Sequence, residues 1–184
     1  KEPLEPYFPL ICDMSWDFFS KPIDIERFGL IYAGAQKNLG PAGTTLVIVR
    51  RDLLNTVERT IPTMLNYQTH IEKNSAFNTP PVFPIYVCML TLEWLQAKGG
   101  LDAIAEHNRQ KAEIIYRAID GSSLYKGTVA KEDRSLMNAT FLLAKPELED
   151  AFLKACTEAG CVGVKGHRSV GGFRASIYNS MPLD

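Results

Sequence analysis

The sequence predicts an α/β chain that passes, near residue 98, from a strand-rich part into a smaller α+β part. Three observations carry this reading. Two apolar, strand-like runs, 29–32 and 44–49, bracket a stretch of small residues around one lysine. The pair Gly99-Gly100 interrupts the chain just as its composition changes from strand-rich to helix-then-strand. Beyond it, apolar residues recur at helical spacing from Leu101 to Ile119, and short apolar runs follow. The expected division is residues 1–97 and 98–184.

Taken in order, Pro9-Leu10-Ile11-Cys12 reads as a short buried strand with Asp13 at its carboxyl end, the end where ligands gather in open α/β sheets. Asp13 is equally suited to cap a helix or form a turn. Residues 20–24 form a turn. Residues 44–50 alternate β-branched and apolar side chains tightly enough for a largely buried strand. A helix is expected over 51–58, and an extended surface connection over 62–77. Asn78-Thr79-Pro80-Pro81 stops regular structure, and Pro81 and Pro84 suit the approach and first turn of a helix running to about Ala97. In that helix Ile85, Met89 and Leu92 share a stripe. The helix over 101–119 places His107 among Glu106, Arg109 and Lys111, a solvated setting. A strand over 137–144, a helix over 147–159 with Leu148, Phe152 and Ala155 inward and Gly160 as its stop, and strands over 161–164 and 173–178 complete the second part.

Composition narrows the function classes. With 46% hydrophobic and 22% charged residues among 184, the chain has material for a core. Twenty basic against 21 acidic residues leave a net charge of -1, so no global attraction to nucleic acid or an acidic membrane is expected. No apolar run reaches the roughly 18–20 residues of a membrane span. Cys12, Cys88, Cys156 and Cys161 form no C-x-x-C pair and read as reduced, which points to the cytoplasm. No metal site is expected.

The chemistry centres on Tyr32-Ala33-Gly34-Ala35-Gln36-Lys37-Asn38-Leu39-Gly40. A lysine among small residues and glycine turns can be held away from water, which favours the neutral, nucleophilic amine that a Schiff base requires. Later in the chain, Arg174 follows Gly171-Gly172, where the absence of side chains admits a ligand to the planar guanidinium fork.

Five stretches, in this order, resemble the phosphoserine aminotransferases, a class-V, fold-type-I family of pyridoxal-phosphate (PLP) enzymes. They are Cys12-Asp13-Met14-Ser15, Ala33-Gly34-Ala35-Gln36-Lys37-Asn38, Asn78-Thr79-Pro80-Pro81, the run from Lys131 to Ser135 with Met137-Asn138, and the run from Lys165 to Gly172 with Arg174-Ala175-Ser176. The resemblance implies that residues 1–97 are the later part of a PLP-binding large domain, and residues 98–184 a small α+β domain lacking its last helix. It implies an incomplete chain. It gives Lys37 the cofactor linkage and proton transfer, Asp13 the pyridinium nitrogen, and Gln36 the cofactor phosphate. Asn78 and Thr79 would reach the phosphate in the partner subunit of a homodimer with shared active sites. Arg174 would take the α-carboxylate, and His167 and Arg168 the phosphate of phosphoserine or the distal carboxylate of glutamate. The implied reaction moves an amino group reversibly from glutamate to 3-phosphohydroxypyruvate, giving phosphoserine and 2-oxoglutarate in serine biosynthesis. After Ser15 the chain has Trp16 where a second small polar residue is expected.

Rival readings are another fold-type-I aminotransferase or a desulfurase, a nucleotide-binding module, and a non-catalytic partner. The spacing of His167-Arg168 and Arg174 suits a substrate with two separated anionic groups. The order G-x-x-x-x-G-K-[ST] of a phosphate loop is not met, because Lys37 precedes Gly40 and Asn38 follows the lysine.

Overall fold

The structure, a computed structural model, describes residues 8–167 and 171–183. The chain forms two compact units, one ending at Lys98 and the other starting at Gly99. Two successive left-handed residues, Gly99 (φ +98°) and Gly100 (φ +75°), stand where the second unit begins.

In the first unit, β1 (Ile11–Asp13) pairs parallel with β2 (Leu30–Gly34), which pairs antiparallel with β3 (Thr45–Val49). In this sheet, among the described residues, only β2 has neighbours on both sides, and burial peaks there: Ile31 and Ala33 are buried and pack with Met14 and Phe18. The two edge strands correct the sequence reading. Ile11 on β1 is 64% exposed, and β3 alternates exposed with half-buried residues where a largely buried strand was expected. Neither edge strand has a second strand beside it among the described residues, so apolar alternation is not matched by burial.

Two connections also differ from expectation. Over 51–58 the only regular structure is a single 3-10 turn, Arg51–Leu53, because Leu54 is extended and Asn55 adopts φ +58°. Over 62–77 the chain is not merely extended: a 3-10 turn at Thr63–Leu65 leads into α1 (Tyr67–Glu72). Asn66 starts α1 by accepting a hydrogen bond from the Gln68 amide at 3.0 Å. Positive φ at Asn74 and Ser75 lies just beyond its end.

Helix α2 (Val82–Ala97) follows Pro81 and buries Cys88 and Leu95. Ile85, Met89 and Leu92 are exposed instead. The helix is apolar around nearly its whole circumference, so spacing alone cannot select its inner face. The face carrying Cys88 meets the lysine loop so closely that a Cβ on Gly40 would lie 2.8 Å from the Cys88 sulfur.

The second unit lays α3 (Gly100–Asp120) and α4 (Glu149–Glu158) against an antiparallel sheet of order β4 (Tyr125–Gly127), β5 (Asn138–Leu143), β6 (Phe173–Ser176). Its core joins Ile119, Ala139, Phe141, Leu143 and Phe173 with Tyr125, Phe152 and Leu153. Phe152 meets Phe173 edge to face at 4.7 Å between ring centroids. Residues 161–164 are not a strand: Gly163 has φ +72° and Val162 is 94% exposed, so only Lys165 bridges to Phe173. The third strand is the short β4, which its few apolar residues did not reveal. On α4, Phe152 and Leu153 turn inward, whereas Ala155 and, just before the helix, Leu148 are exposed.

His107 on α3 is tied down where a solvated side chain was expected, while its neighbours Glu106 and Arg109 stay exposed. His107 Nε2 bonds the Met181 carbonyl at 3.0 Å, the buried Asn108 donates to Asn179 Oδ1 at 2.9 Å, and the buried Lys111 donates to the carbonyls of Ile177 and Tyr178 at 3.1 and 2.6 Å. These three side chains hold the segment that follows β6. The run Lys131 to Asn138 is equally structural. Arg134 clasps Asp120 at 2.7 and 2.8 Å and covers the Tyr116 ring, while the Ser135 hydroxyl accepts from the amides of Met137 and Asn138. Among the described residues, no helix is long and apolar enough to cross a membrane.

Candidate active site

Asp13 ends β1 in register with Tyr32 on β2, so its carboxylate stands at the carboxyl edge of the parallel pair. Ser15, two residues on, donates to Asp13 Oδ1 through its hydroxyl at 2.6 Å and through its amide at 2.9 Å. The same hydroxyl accepts from the Gly34 amide at 2.9 Å, tying the turn after β1 to the end of β2. These bonds, with a smaller contribution from Tyr32, hold the Asp13 carboxyl below its ordinary value. The neighbouring Asp13 charge pushes the Tyr32 phenol up. Asp13 is therefore an exposed carboxylate kept ionised, ready to pair with a cation.

The lysine loop leaves β2 through a tight turn. Lys37 N and Gly40 N both donate to the Ala35 carbonyl at 2.7 Å, and Ala35 is fully buried. The Gln36 amide folds back over Gly34, where an added Cβ would meet Gln36 Oε1 at 2.6 Å. Lys37 is half-buried, with Nζ 5.4 Å from the centroid of the Trp16 ring. Asn38 is buried and donates to the carbonyls of Trp16 and Phe18 at 3.3 and 3.2 Å. An ionised carboxylate, an amine and an exposed amide donor are thus mounted on neighbouring strand ends. That donor set fits a phosphorylated, protonated pyridine aldehyde.

Asn78 and Thr79 are both exposed in the connection before α2, and Asn78 Nδ2 donates to the Thr79 carbonyl at 3.3 Å. In the second unit, Arg174 lies on β6 opposite Thr140, and its amide donates to the Val164 carbonyl at 2.7 Å. Its Nε is buried without a hydrogen-bond partner among the described residues. A buried guanidinium nitrogen left unpaired is costly, and an incoming carboxylate would satisfy it. His167 is exposed; its carbonyl accepts from Gly171 N at 2.8 Å. Arg168 lies outside the described residues.

Sequence reasoning gave no role to Ser15 or Tyr32, which set the ionisation of Asp13. A hydroxyl two residues after an aspartate is the signal that marks such a turn. Lys111 was also missed, because a lysine among charged neighbours gives no sign of burial.

The class-V aminotransferase family model matches residues 8–184. The chain belongs to that family. A phosphoserine aminotransferase of Parabacteroides distasonis is 59% identical over 175 residues, which is 94% of this chain and 49% of that protein. A phosphoserine aminotransferase structure determined in a study of radiation damage to its Schiff base superposes with a TM-score of 0.95 at 54% identity, covering 100% of this chain and 51% of the other. The PLP-bound phosphoserine aminotransferase of Trichomonas vaginalis gives 0.92 at 38% identity, covering 100% and 53%. The chain spans about half the length of the relatives it matches.

Proposed function

We propose that the chain is the later half of a phosphoserine aminotransferase that works with PLP. The observation that carries the reading is Asp13 at the end of β1 and Lys37 in the turn that follows the paired strand β2, the carboxylate held ionised by Ser15. When bound, PLP supplies the electron sink for chemistry at the α-carbon. Lys37 Nζ would hold the cofactor covalently and, when free of it, would move a proton at the substrate α-carbon. Asp13 would pair with the ring nitrogen and keep it protonated. Gln36 would donate to the cofactor phosphate, and Asn78 and Thr79 to that of a partner subunit, which would make the working unit a homodimer. Arg174 binds the α-carboxylate through its fork, and His167 and Arg168 take the distal phosphate or carboxylate. Residues up to 97 act as part of the cofactor domain, and 98–184 as the small domain. The substrates are glutamate and 3-phosphohydroxypyruvate, with 2-oxoglutarate and phosphoserine as products, in the cytoplasm.

The test uses the full-length protein. Borohydride reduction after PLP loading should leave the label on the peptide containing Lys37, and Lys37→Ala should abolish it. Label on another lysine overturns the assignment. Arg174→Lys should lower kcat/KM for phosphoserine about ten- to a hundredfold, the loss of one charge-assisted bond.

A further inference from the structure

We infer that Trp16 is a positioning residue for Lys37, its indole face receiving the side-chain ammonium whenever that amine is not joined to the cofactor. The inference rests on Lys37 being the linkage lysine proposed above. Nζ stands 5.4 Å from the Trp16 ring centroid, within reach of a cation–π attraction. This is no chance meeting of two loose side chains. Asn38, next to the lysine, is bonded to the backbone carbonyls of Trp16 and Phe18, and Ser15, next to the tryptophan, accepts from Gly34. The two segments are therefore fastened on either side of the contact. Trp16 is 47% exposed, so its ring keeps an open side and is not merely filling a core.

The attraction has a chemical consequence. An aromatic face draws a cation and has little hold on a neutral amine. The indole therefore holds Lys37 while Nζ carries an extra proton, and releases it when the lone pair is needed for attack on an aldehyde or for taking up a proton. A small polar residue at position 16 would provide no such resting place.

Competitive acetylation of the cofactor-free, full-length protein with trace acetic anhydride reads this directly, with Lys37 compared against Lys98 by peptide mass spectrometry. Trp16→Leu, which keeps apolar bulk, and Trp16→Ser should each acetylate Lys37 about two- to fivefold faster than the unmodified protein, the factor expected for one cation–π contact at an exposed site. Trp16→Tyr, which keeps an aromatic face, should restore slow labelling. Equal rates in all four proteins, or fast labelling in Trp16→Tyr as well, overturn the inference. Borohydride trapping in the same variants reports separately on the linkage: label on a lysine other than Lys37 defeats the proposed function, while the acetylation series still reads the indole contact.

Discussion

The two units differ in how far each closes upon itself. In the unit from Gly99, Phe141 and Phe173 are stacked at 5.6 Å between β5 and β6, Phe152 of α4 caps them, and Ile119 of α3 is buried beneath. In the unit ending at Lys98, Val82, Phe83, Tyr86, Met89 and Leu90 of α2 are exposed, as are Ile11 and Val47 on the sheet edges. Such a collection of apolar side chains is what protein contacts normally cover. The comparison teaches that an apolar pattern reports burial only when the stretch that buries it lies in the same chain segment. The candidate cofactor residues sit in the open unit, and the local bonds around Asp13 and Lys37 are what fix them there.

Core truncation gives the largest expected contrast. Phe173→Ala should cost the second unit about 3–5 kcal/mol, whereas Met89→Ala on α2 should cost under about 1 kcal/mol in this chain. Hydrogen exchange with mass spectrometry reads the two units separately. Equal losses would show that the α2 face is covered in solution.

A second contrast is set by Lys111, which burial pushes down to about 8. Between pH 8 and the ordinary lysine value of 10.5, the unfolded chain binds more protons at this site than the folded one, so stability of this unit should rise with pH across that window. The rise should be at most about 3 kcal/mol, and Lys111→Met should flatten it. Urea titrations from pH 7.5 to 10.5 measure it. A fall in stability over this range would mean that the two carbonyl acceptors outweigh burial and keep the ammonium favoured.

The smallest effect belongs to Asp120, which the Arg134 guanidinium holds at about 2. Its contribution is complete above about pH 4 and is lost as pH falls through 2. Asp120→Asn should remove that acid-sensitive part of the urea midpoint with little other change, because the pair is partly open to solvent. An unchanged acid profile would assign the sensitivity to another carboxylate.

Much of this was legible in the sequence, and the misses share physical causes. The strands around Lys37 followed from β-branched runs between turn formers, and α3 from its spacing. Residues 51–58 failed because a left-handed asparagine outweighs a weak helical pattern, and 161–164 because one glycine breaks an apolar run. The stripe on α2 could not be oriented, since a helix apolar on all sides carries no directional signal. Asp13 and Lys37 stood out as residue types and the Ser15 turn had a local signal, but the Ser15 bond to Gly34, the buried Lys111 and the Trp16 contact are long-range facts. A one-dimensional pattern holds no trace of them.

The glycine frame around His167 bears on how this surface can change over evolutionary time. Gly166 N donates to the Gly172 carbonyl at 2.8 Å; a Cβ on Gly166 would collide with the Gly171 carbonyl, and one on Gly172 would sit 2.8 Å from the Phe141 carbonyl. Both positions are closed to any larger residue, because the obstacles are backbone atoms that cannot turn aside. His167, between them, is exposed. Substitution at either glycine would therefore have to move the backbone of β5 or of the returning turn, so the path of the chain on both sides of His167 is tied to the sheet beneath it.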